Sequence, residues 1–212
     1  MFYSKTKKAA ILRVLLWGVA GAGKSETLSQ LRAALPNHLT RGCWLDYASA
    51  DRDGLFLEYL PVKLGRVKGV DVTLELFSAP GQSSGSEWLE LVPEADGFVV
   101  VIDSAVERLS ANLESTDELR NLLSKSGKAL ERIPTVCQLN KRDLKDSLPP
   151  DVLHRATGLW SSPELETVAP EGLGVLDVLQ AAVTLNLRRL NQFGASPAKP
   201  RITGQLFGDT SP

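Results

Sequence analysis

Several features that mark large classes of proteins are scarce or missing in this sequence. Only 2 of its 212 residues are cysteine, and neither Cys43 nor Cys137 has a neighbour at a spacing typical of metal ligands. Both stand in apolar surroundings, so we expect two reduced, buried thiols, which is typical of a cytosolic protein.

Long apolar segments are missing as well. No stretch approaches the about 20 apolar residues that a membrane-spanning helix needs. Segment 1–8 is basic, but the apolar run after it leads into a glycine-rich loop rather than a cleavage site, so we expect no signal peptide. Lys5, Lys7 and Lys8 could contact anionic lipid or simply be solvated, since three charges give only marginal attraction. We therefore expect a cytoplasmic protein without a transmembrane segment.

Neither sign of charge is in excess. The 24 lysines and arginines nearly balance the 25 aspartates and glutamates, for a net charge of -1. No basic field points to nucleic acid, and no acidic excess points to disorder. The hydrophobic fraction of 43% is ordinary for a globular protein, and the length suits one domain with a single sizeable core.

Hydrophobic periodicity predicts alternating buried strands and amphipathic helices. The strands are expected at 11–17, 57–67, 70–77, 97–103, 133–139 and 165–169, and the helices at 24–35, 107–123, 150–156 and 173–190. This order predicts a three-layer α/β fold with a mostly parallel six-stranded sheet. Lys68-Gly69 suits the turn of one antiparallel edge hairpin, and Pro61 indicates an edge or bulged strand. We expect one domain at 1–192 and a flexible tail at 193–212.

The phosphate-binding pattern G-x-x-x-x-G-K-[ST] is matched by Gly18, Val19, Ala20, Gly21, Ala22, Gly23, Lys24 and Ser25. This phosphate loop lies between a predicted strand and a predicted helix, which is the context that gives the pattern its meaning. Glycines let backbone N–H groups turn toward a phosphate, and the helix start adds a positive dipole end. Lys24 is expected to reach the β- and γ-phosphates and Ser25 to bind Mg²⁺. The alternative is a glycine-rich turn that matches by chance.

A second motif, Asn140-Lys141-Arg142-Asp143, follows the predicted strand 133–139 and matches the N-K-x-D motif of GTPases. We call these four residues the base-reading motif. A carboxylate at Asp143 can accept both the ring N–H and the exocyclic amine of guanine, a pair that adenine does not offer. Asn140 would bridge to the phosphate loop, and Lys141 would lie along the base. The alternative is a charged turn after a strand, but ligands bind at this edge of open α/β sheets.

The sequence resembles the MglA family of bacterial small Ras-like GTPases. The resemblance covers most of the chain and includes Ser78, Ala79, Pro80, Gly81 and Gln82, where the family carries T-x-P-G-Q. It implies a Ras-like P-loop fold that binds GTP or GDP with Mg²⁺ and hydrolyses GTP, in bacterial cell polarity or gliding motility. Recruitment to a cell pole or a membrane-proximal complex would fit that role.

The resemblance also implies roles for individual residues. Gln82 resembles the glutamine that orients the attacking water, and Arg52 the arginine that neutralises transition-state charge, with Lys24 as the third catalytic residue. Without the family, Arg52 is a solvated loop arginine and Gln82 a turn residue. Gly81 belongs to the nucleotide site, and the backbone N–H of Ala169 is expected to contact the guanine oxygen. The expected metal-site residues are Ser25, Asp53 and Ser78.

Several positions depart from the family pattern. Asp53 stands where the family has Thr and would repel the γ-phosphate, while Ala20 replaces a glycine and could crowd Gln82. Ser78 stands where most Ras-like proteins carry Asp. Glu26, after Ser25, is a nucleotide-site candidate, but a carboxylate that favours the helix dipole is the simpler interpretation. These departures put fast hydrolysis in doubt.

They leave three functions to weigh. The first is a switch that hydrolyses GTP slowly. The second is a non-hydrolysing relative that serves as a protein-interaction module, and the third, an ATP-using kinase, is opposed by the base-reading motif. The resemblance implies a Roadblock-type (MglB-like) regulator and downstream effectors that bind at 44–60 and 82–92. Trp44, Tyr47 and Trp88 could form that surface or pack onto the domain.

Overall fold

The computed structural model describes residues 2–4, 8–40, 47–48, 56–78 and 91–192. Its strands are β1 Phe2–Ser4, β2 Ala9–Trp17, β3 Tyr47–Ala48, β4 Phe56–Val67, β5 Val70–Ser78, β6 Gly97–Asp103, β7 Thr135–Asn140 and β8 Glu164–Glu166. Its helices are α1 Lys24–Ala34, the single turn α2 Leu91–Glu94, α3 Leu109–Lys125, α4 Pro150–Thr157 and α5 Val175–Gln192. Short 3₁₀ turns lie at Val106–Arg108, Leu130–Arg132 and Ala169–Glu171.

The central sheet has the order β4-β5-β2-β6-β7-β8. Every neighbouring pair from β5 to β8 is parallel, and the β4–β5 hairpin is antiparallel. The prediction of a mostly parallel six-stranded sheet with one antiparallel hairpin is therefore confirmed. The strands β1 and β3 extend it by antiparallel pairing with β2 and β4, and neither strand is predicted from the sequence.

One side of β2 is shared by two strands placed end to end. Residues 9–11 of β2 pair with β1, and residues 14–17 of β2 pair with β6. Because β6 begins beside Val14, the start of β2 would otherwise present unpaired backbone groups along this side. The short strand β1 supplies those partners.

The β4–β5 hairpin turns at Lys68-Gly69, as predicted. Lys68 has φ 52° and Gly69 has φ 80°, and two left-handed residues form the turn whose twist matches that of paired strands. Pro61 pairs with Glu75 on one side only, and the register shifts between Lys63 and Gly65. The strand is thus both bulged and near the edge of the sheet, which is where a residue without an N–H is tolerated.

The core has two parts, one on each face of the sheet. Alternate residues of β2 point to opposite faces: Val14 and Leu16 belong to the part covered by α1 and α5, and Leu15 and Trp17 to the part covered by α3 and α4. β6 and β7 are buried along their whole length. Burial of both faces explains why these strands have continuous apolar runs rather than alternation, and it establishes the three-layer fold.

Most predicted boundaries differ from the observed ones by one to three residues: the strand predicted at 133–139, for example, is observed at Thr135–Asn140. Three of the differences have an evident structural cause or consequence. The helix expected from residue 107 begins at Leu109, because a 3₁₀ turn precedes it. The last strand ends at Glu166, and Ala169 lies in a 3₁₀ turn that includes Pro170. The last helix was predicted to begin at Leu173 but begins at Val175, so Leu173 precedes α5, where it is 56% exposed.

Cys137 is buried in β7 as expected, and burial raises the pKa of its thiol to about 12. Cys43, Trp44, Trp88, the side chain of Tyr47 and the tail 193–212 lie outside the described residues. No helix in the described part of the chain combines the length and the apolar character that crossing a bilayer requires.

Leu74→Ala is expected to destabilise the fold. Leu74 is fully buried in β5 within the core, so its removal leaves a cavity and should lower the free energy of unfolding by about 2–5 kcal/mol. Leu173→Ala, the same change at an exposed site, should lower it by less than about 0.5 kcal/mol. Urea denaturation measures both, and equal losses would contradict this placement of the core.

Candidate functional site

The sequence motifs converge at the carboxyl edge of the parallel strands. β2, β5, β6 and β7 end there at Trp17, Ser78, Asp103 and Asn140. The phosphate loop follows β2, and the base-reading motif begins with the last residue of β7. Asp103 and Asn140 are direct partners in the β6–β7 register, so the last residues of these two strands lie side by side.

Two glycines of the phosphate loop are required by close contacts. Gly18 has φ 148°, and a Cβ built there would lie 2.2 Å from the carbonyl oxygen of Val101. Gly23 has φ 102°, and its Cβ would lie 2.1 Å from Nδ2 of Asn140. At both positions φ is positive, and a side chain would collide with the Val101 carbonyl or the Asn140 amide, so only glycine fits.

The side chain of Lys24 turns back toward the start of the phosphate loop and is 6% exposed. Its Nζ donates to the carbonyl oxygens of Gly18 at 2.7 Å and Val19 at 2.9 Å. Burial lowers the pKa of this ammonium to about 8, and the attraction of Glu58 partly offsets the effect. A nearby phosphate would favour the charged form, so Lys24 is suited to bind an anion in this loop.

Asn140 joins the two motifs to a third loop. Its Nδ2 donates to the carbonyl oxygen of Ala22 at 2.7 Å. Its Oδ1 accepts from the backbone N–H of Ala169 at 2.9 Å and from the hydroxyl of Thr167 at 3.0 Å. The side chain is buried, so these bonds are not weakened by competition with bulk water. The predicted bridge to the phosphate loop is present in the structure.

A buried polar layer supports this bridge from below. Gln138 of β7 donates through Nε2 to the hydroxyls of Thr27 at 2.9 Å and Thr167 at 3.1 Å. Thr27 in turn donates to the carbonyl oxygen of Gly23 at 2.9 Å. Within the described part of the chain, Oε1 of Gln138 has no hydrogen-bond partner. The layer fixes the first turn of α1 against β7 and so fixes the end of the phosphate loop.

A buried carboxylate lies beside the phosphate loop. Asp103 is 1% exposed, and its Oδ2 accepts from Nζ of Lys141 at 2.7 Å and lies 3.5 Å from Nε of Arg108. Arg108 also donates through Nη2 to the carbonyl oxygen of Ala20 at 2.7 Å. Lys141 has φ 65°, a left-handed conformation that turns the chain immediately after β7. The two cations offset the cost of burying the carboxylate.

One of the predicted metal-site residues, Ser78, is accompanied by a carboxylate with a buried oxygen that accepts no hydrogen bond from the described residues. Ser25 is exposed at the start of α1, and Ser78 is buried at the end of β5. Glu58 of β4 is the direct cross-strand partner of Ser78, so both side chains lie on the same face of the hairpin. Among the described residues, nothing hydrogen-bonds the buried Oε2 of Glu58. Hydroxyl and carboxylate oxygens are donors that suit a hydrated Mg²⁺, and the metal roles of Ser25 and Ser78 stay predictions.

Two of the remaining predicted nucleotide-site residues, Asp143 and Glu26, lie at the surface of the domain. Asp143 is exposed. Glu26 accepts a hydrogen bond from Gln30 at 3.0 Å on the surface of α1, as expected for a helix-start carboxylate. The predicted contacts of Lys141 and of the Ala169 N–H with a base stay predictions; in this structure Lys141 Nζ donates to Asp103 and the Ala169 N–H donates to Asn140. Arg52, Asp53, Gly81 and Gln82 lie outside the described residues, so their roles stay predictions too.

Two residues of this site have no role in the sequence analysis. Glu58 could have been found from the hairpin register, because counting back from the Lys68-Gly69 turn places it near Ser78, although the bulge shifts the count by one. Arg108 has no local signal: an arginine at the start of a helix is common, and only the packing of α3 brings it to the phosphate loop.

The fold and the site together define a P-loop protein with the Ras-like arrangement of sheet, phosphate loop and base-reading motif. A scan against models of protein families gave no match. Among known proteins, the chain is 31% identical over 194 residues to the mutual gliding-motility protein MglA of Myxococcus xanthus (strain DK1622), an alignment that covers 91% of this chain and 99% of that relative. The chain belongs to the MglA family of small Ras-like GTPases.

Lys24→Met is expected to change stability in a pH-dependent way. The pKa of Lys24 is about 8 in the folded chain against an ordinary value of 10.5. The cost of burying the charge is fully present below pH 8 and disappears as pH rises from 8 to 10.5, because the folded state loses its proton first. At about 1.4 kcal/mol per pKa unit, the free energy of unfolding of wild type should rise by about 2–3 kcal/mol relative to that of Lys24→Met as pH increases across that window.

Denaturation of both proteins without nucleotide, at pH 7 and pH 10, measures this difference. Other titrating groups are common to the two proteins and cancel. A stability difference that is independent of pH would show that the ammonium of Lys24 is well solvated.

Proposed function

We propose that this protein is a guanine-nucleotide-dependent molecular switch that binds GTP and GDP with Mg²⁺ and hydrolyses GTP slowly. The observation that carries the proposal is the Asn140 side chain, which ties the phosphate loop to the base-reading motif through Ala22. A site that fixes these two loops relative to each other is suited to one ligand with phosphates at one end and a base at the other. The name of the relative supports a role in bacterial gliding motility, and we extend that to cell polarity.

The phosphate end of the ligand would be bound by the loop and Lys24. Lys24 exchanges its bonds to Gly18 and Val19 for phosphate oxygens, and backbone N–H groups and the α1 dipole add to the attraction. The positive charge of Lys24 is retained at neutral pH, since its pKa of about 8 lies above 7. The same contacts bind GDP and GTP, so the γ-phosphate is sensed elsewhere, by the segments that carry Asp53 and Gln82.

The base end would be bound by Asp143. Its carboxylate is exposed and forms no ion pair with any of the described residues, so it is available to the two donors on one edge of guanine. Asn140 positions the turn that carries it, and the left-handed Lys141 directs the chain outward. Adenine lacks this donor pair, and selection against it follows from leaving a charged acceptor unsatisfied.

Mg²⁺ would be held by Ser25 and by the nucleotide phosphates, with Ser78 and Glu58 hydrogen-bonding its waters. The ion neutralises phosphate charge when bound. Most Ras-like proteins have a carboxylate where this chain has Ser78, and Glu58 on the neighbouring strand replaces that charge. The buried, unpaired Oε2 of Glu58 supports this assignment.

Hydrolysis would depend on Gln82 and Arg52, with Lys24 neutralising charge on the phosphates. The rate would be slow, because the methyl group of Ala20 would crowd Gln82 and the carboxylate of Asp53 would repel the γ-phosphate. A Roadblock-type (MglB-like) regulator would accelerate it, and effectors would bind at 44–60 and 82–92, the segments that respond to the γ-phosphate in this superfamily.

Binding measurements with purified protein test the proposal directly. Wild type in Mg²⁺ should bind GDP and GTP and should not bind ATP at the same concentration. Asp143→Asn should weaken GDP by about a hundredfold, because an amide cannot accept both donors of guanine. Xanthosine diphosphate, which has a carbonyl in place of the amine, should bind this variant better than wild type.

Asp146→Asn is the matched control for that experiment. Asp146 is also exposed and lies three residues further along the same loop, so its change should leave GDP affinity within about twofold. Failure of wild type to bind any guanine nucleotide would refute the proposed function.

Glu58→Gln is expected to weaken Mg²⁺ binding about tenfold, as loss of an outer-sphere carboxylate typically does. The readout is the Mg²⁺ concentration that half-maximally slows release of a fluorescent GDP analogue. Adding Ser78→Asp to Glu58→Gln should restore the wild-type value, because the carboxylate returns to the neighbouring strand.

Glu75→Gln controls for removing a partly buried carboxylate from the same hairpin. Glu75 accepts from Tyr59 at 3.0 Å and lies 3.6 Å from Arg13, so it is already engaged. This variant should keep the wild-type Mg²⁺ dependence. An unchanged Mg²⁺ dependence in Glu58→Gln would show that Glu58 does not support the ion.

A further inference from the structure

We infer that Arg108 is a positioning residue for the phosphate loop, and that it holds one peptide of the loop with its N–H turned toward the nucleotide phosphates. Its Nη2 donates to the carbonyl oxygen of Ala20 at 2.7 Å. This contact spans 88 residues of sequence and fastens the middle of the loop to the start of α3. The inference deepens the proposed function and rests on it.

The effect of this bond follows from peptide geometry. In a trans peptide the C=O and the following N–H point in opposite directions, and the described chain contains no cis peptide bonds. Holding the Ala20 carbonyl outward, toward Arg108, therefore turns the N–H of Gly21 inward. Asn140 does the same two residues later, where its bond to the Ala22 carbonyl turns the N–H of Gly23 inward. The two side chains fix alternate peptides of the loop.

Gly21 is the residue at which such a restraint has the largest effect. It has φ 76°, and a Cβ built there would meet no atom of the described residues within 4 Å. Among those residues, none occupies the space beside the Cα of Gly21, in contrast to Gly18 and Gly23, which lie against Val101 and Asn140. A peptide next to an unrestrained glycine rotates easily, so an external hydrogen bond decides its orientation.

Arg108 is itself held in place by Asp103. Nε of Arg108 lies 3.5 Å from Oδ2 of Asp103, and that carboxylate is further fixed by Lys141 at 2.7 Å and by the N–H of Ala105 at 3.2 Å. The planar guanidinium contacts the carboxylate and the Ala20 carbonyl with two different nitrogens. A lysine has a single nitrogen and would have to satisfy both from one point.

The inference predicts which part of the nucleotide is affected. Gly21 belongs to the phosphate loop, so losing Arg108 should weaken the binding energy that comes from the phosphates after the α-phosphate, which GDP has and GMP lacks. The contacts of the base with Asp143 should stay unchanged. A residue that only stabilises the fold would weaken the binding of all nucleotides by the same factor.

The test compares GDP with GMP in wild type, Arg108→Gln and Arg108→Lys, by competition against a fluorescent GDP analogue. Arg108→Gln should weaken the binding of GDP about tenfold and that of GMP less than twofold. The ratio of the GMP Kd to the GDP Kd should therefore fall about fivefold or more. Arg108→Lys should lie between wild type and Arg108→Gln, because one of the two contacts is kept. Thermal unfolding shows that each variant is folded, and if Arg108→Gln is not, Arg108→Lys carries the comparison.

Arg120→Gln is the matched control. Arg120 also donates to a backbone carbonyl, that of Thr157 at 2.6 Å, and lies beside carboxylates of Asp117 and Glu131. Its exposure is similar, 29% against 34% for Arg108, but it contacts α4 rather than the phosphate loop. Arg120→Gln should leave the ratio of the GMP and GDP affinities at the wild-type value.

Two outcomes would overturn the inference, and they are distinguishable. If wild type binds GDP but Arg108→Gln leaves the GMP-to-GDP ratio unchanged, Arg108 has only a structural role and the proposed function stands. If wild type binds no guanine nucleotide, the proposed function fails and this inference fails with it.

Discussion

The arrangement of this site depends on the side-chain amide of Asn140. It joins three segments that are far apart in sequence, since its partners Ala22 and Ala169 lie 118 and 29 residues away. Because the amide is buried, its donor and acceptor groups must find partners within the protein, and only this relative placement of the loops supplies them. A change that moves any one loop leaves a buried polar group unpaired, so the geometry is specified more sharply than apolar packing alone would specify it.

A second regularity is that the phosphate loop is restrained by its carbonyl groups. Lys24 binds the carbonyls of Gly18 and Val19, Arg108 binds that of Ala20, and Asn140 binds that of Ala22. A loop whose N–H groups must face an anion needs donors on its other side to bind its carbonyls. Arg108 and Asn140 remain available for this when Lys24 turns to the phosphates, and they come from different elements.

Much of this could be predicted from the sequence, and the reasons for success and failure are physical. The strand Gly97–Asp103 was predicted at its observed bounds, because its burial on both faces produces a continuous apolar run in the sequence. The phosphate loop and Asn140 were placed correctly because their spacing is local. The roles of Glu58 and Arg108 could not be predicted, since each depends on a neighbour that only the hairpin register or the packing of α3 brings near. The last helix was predicted to begin two residues too early, at Leu173, because the helical spacing of apolar residues extends back across Gly174. The backbone is left-handed at Gly174, so the helix begins only after it.

The register between β6 and β7 has a consequence for how this family can diverge. Asp103 and Asn140 are paired across the two strands, and side chains alternate between faces along each strand. An insertion or deletion of one residue inside either strand would send Asp103 or Asn140 to the opposite face and disconnect Lys141 from its carboxylate. Length variation among homologues should therefore concentrate in α3, in the segment 126–134 and in the segment 144–163, while the strand lengths stay constant. An alignment that places a gap within residues 97–103 or 135–140 has the wrong register.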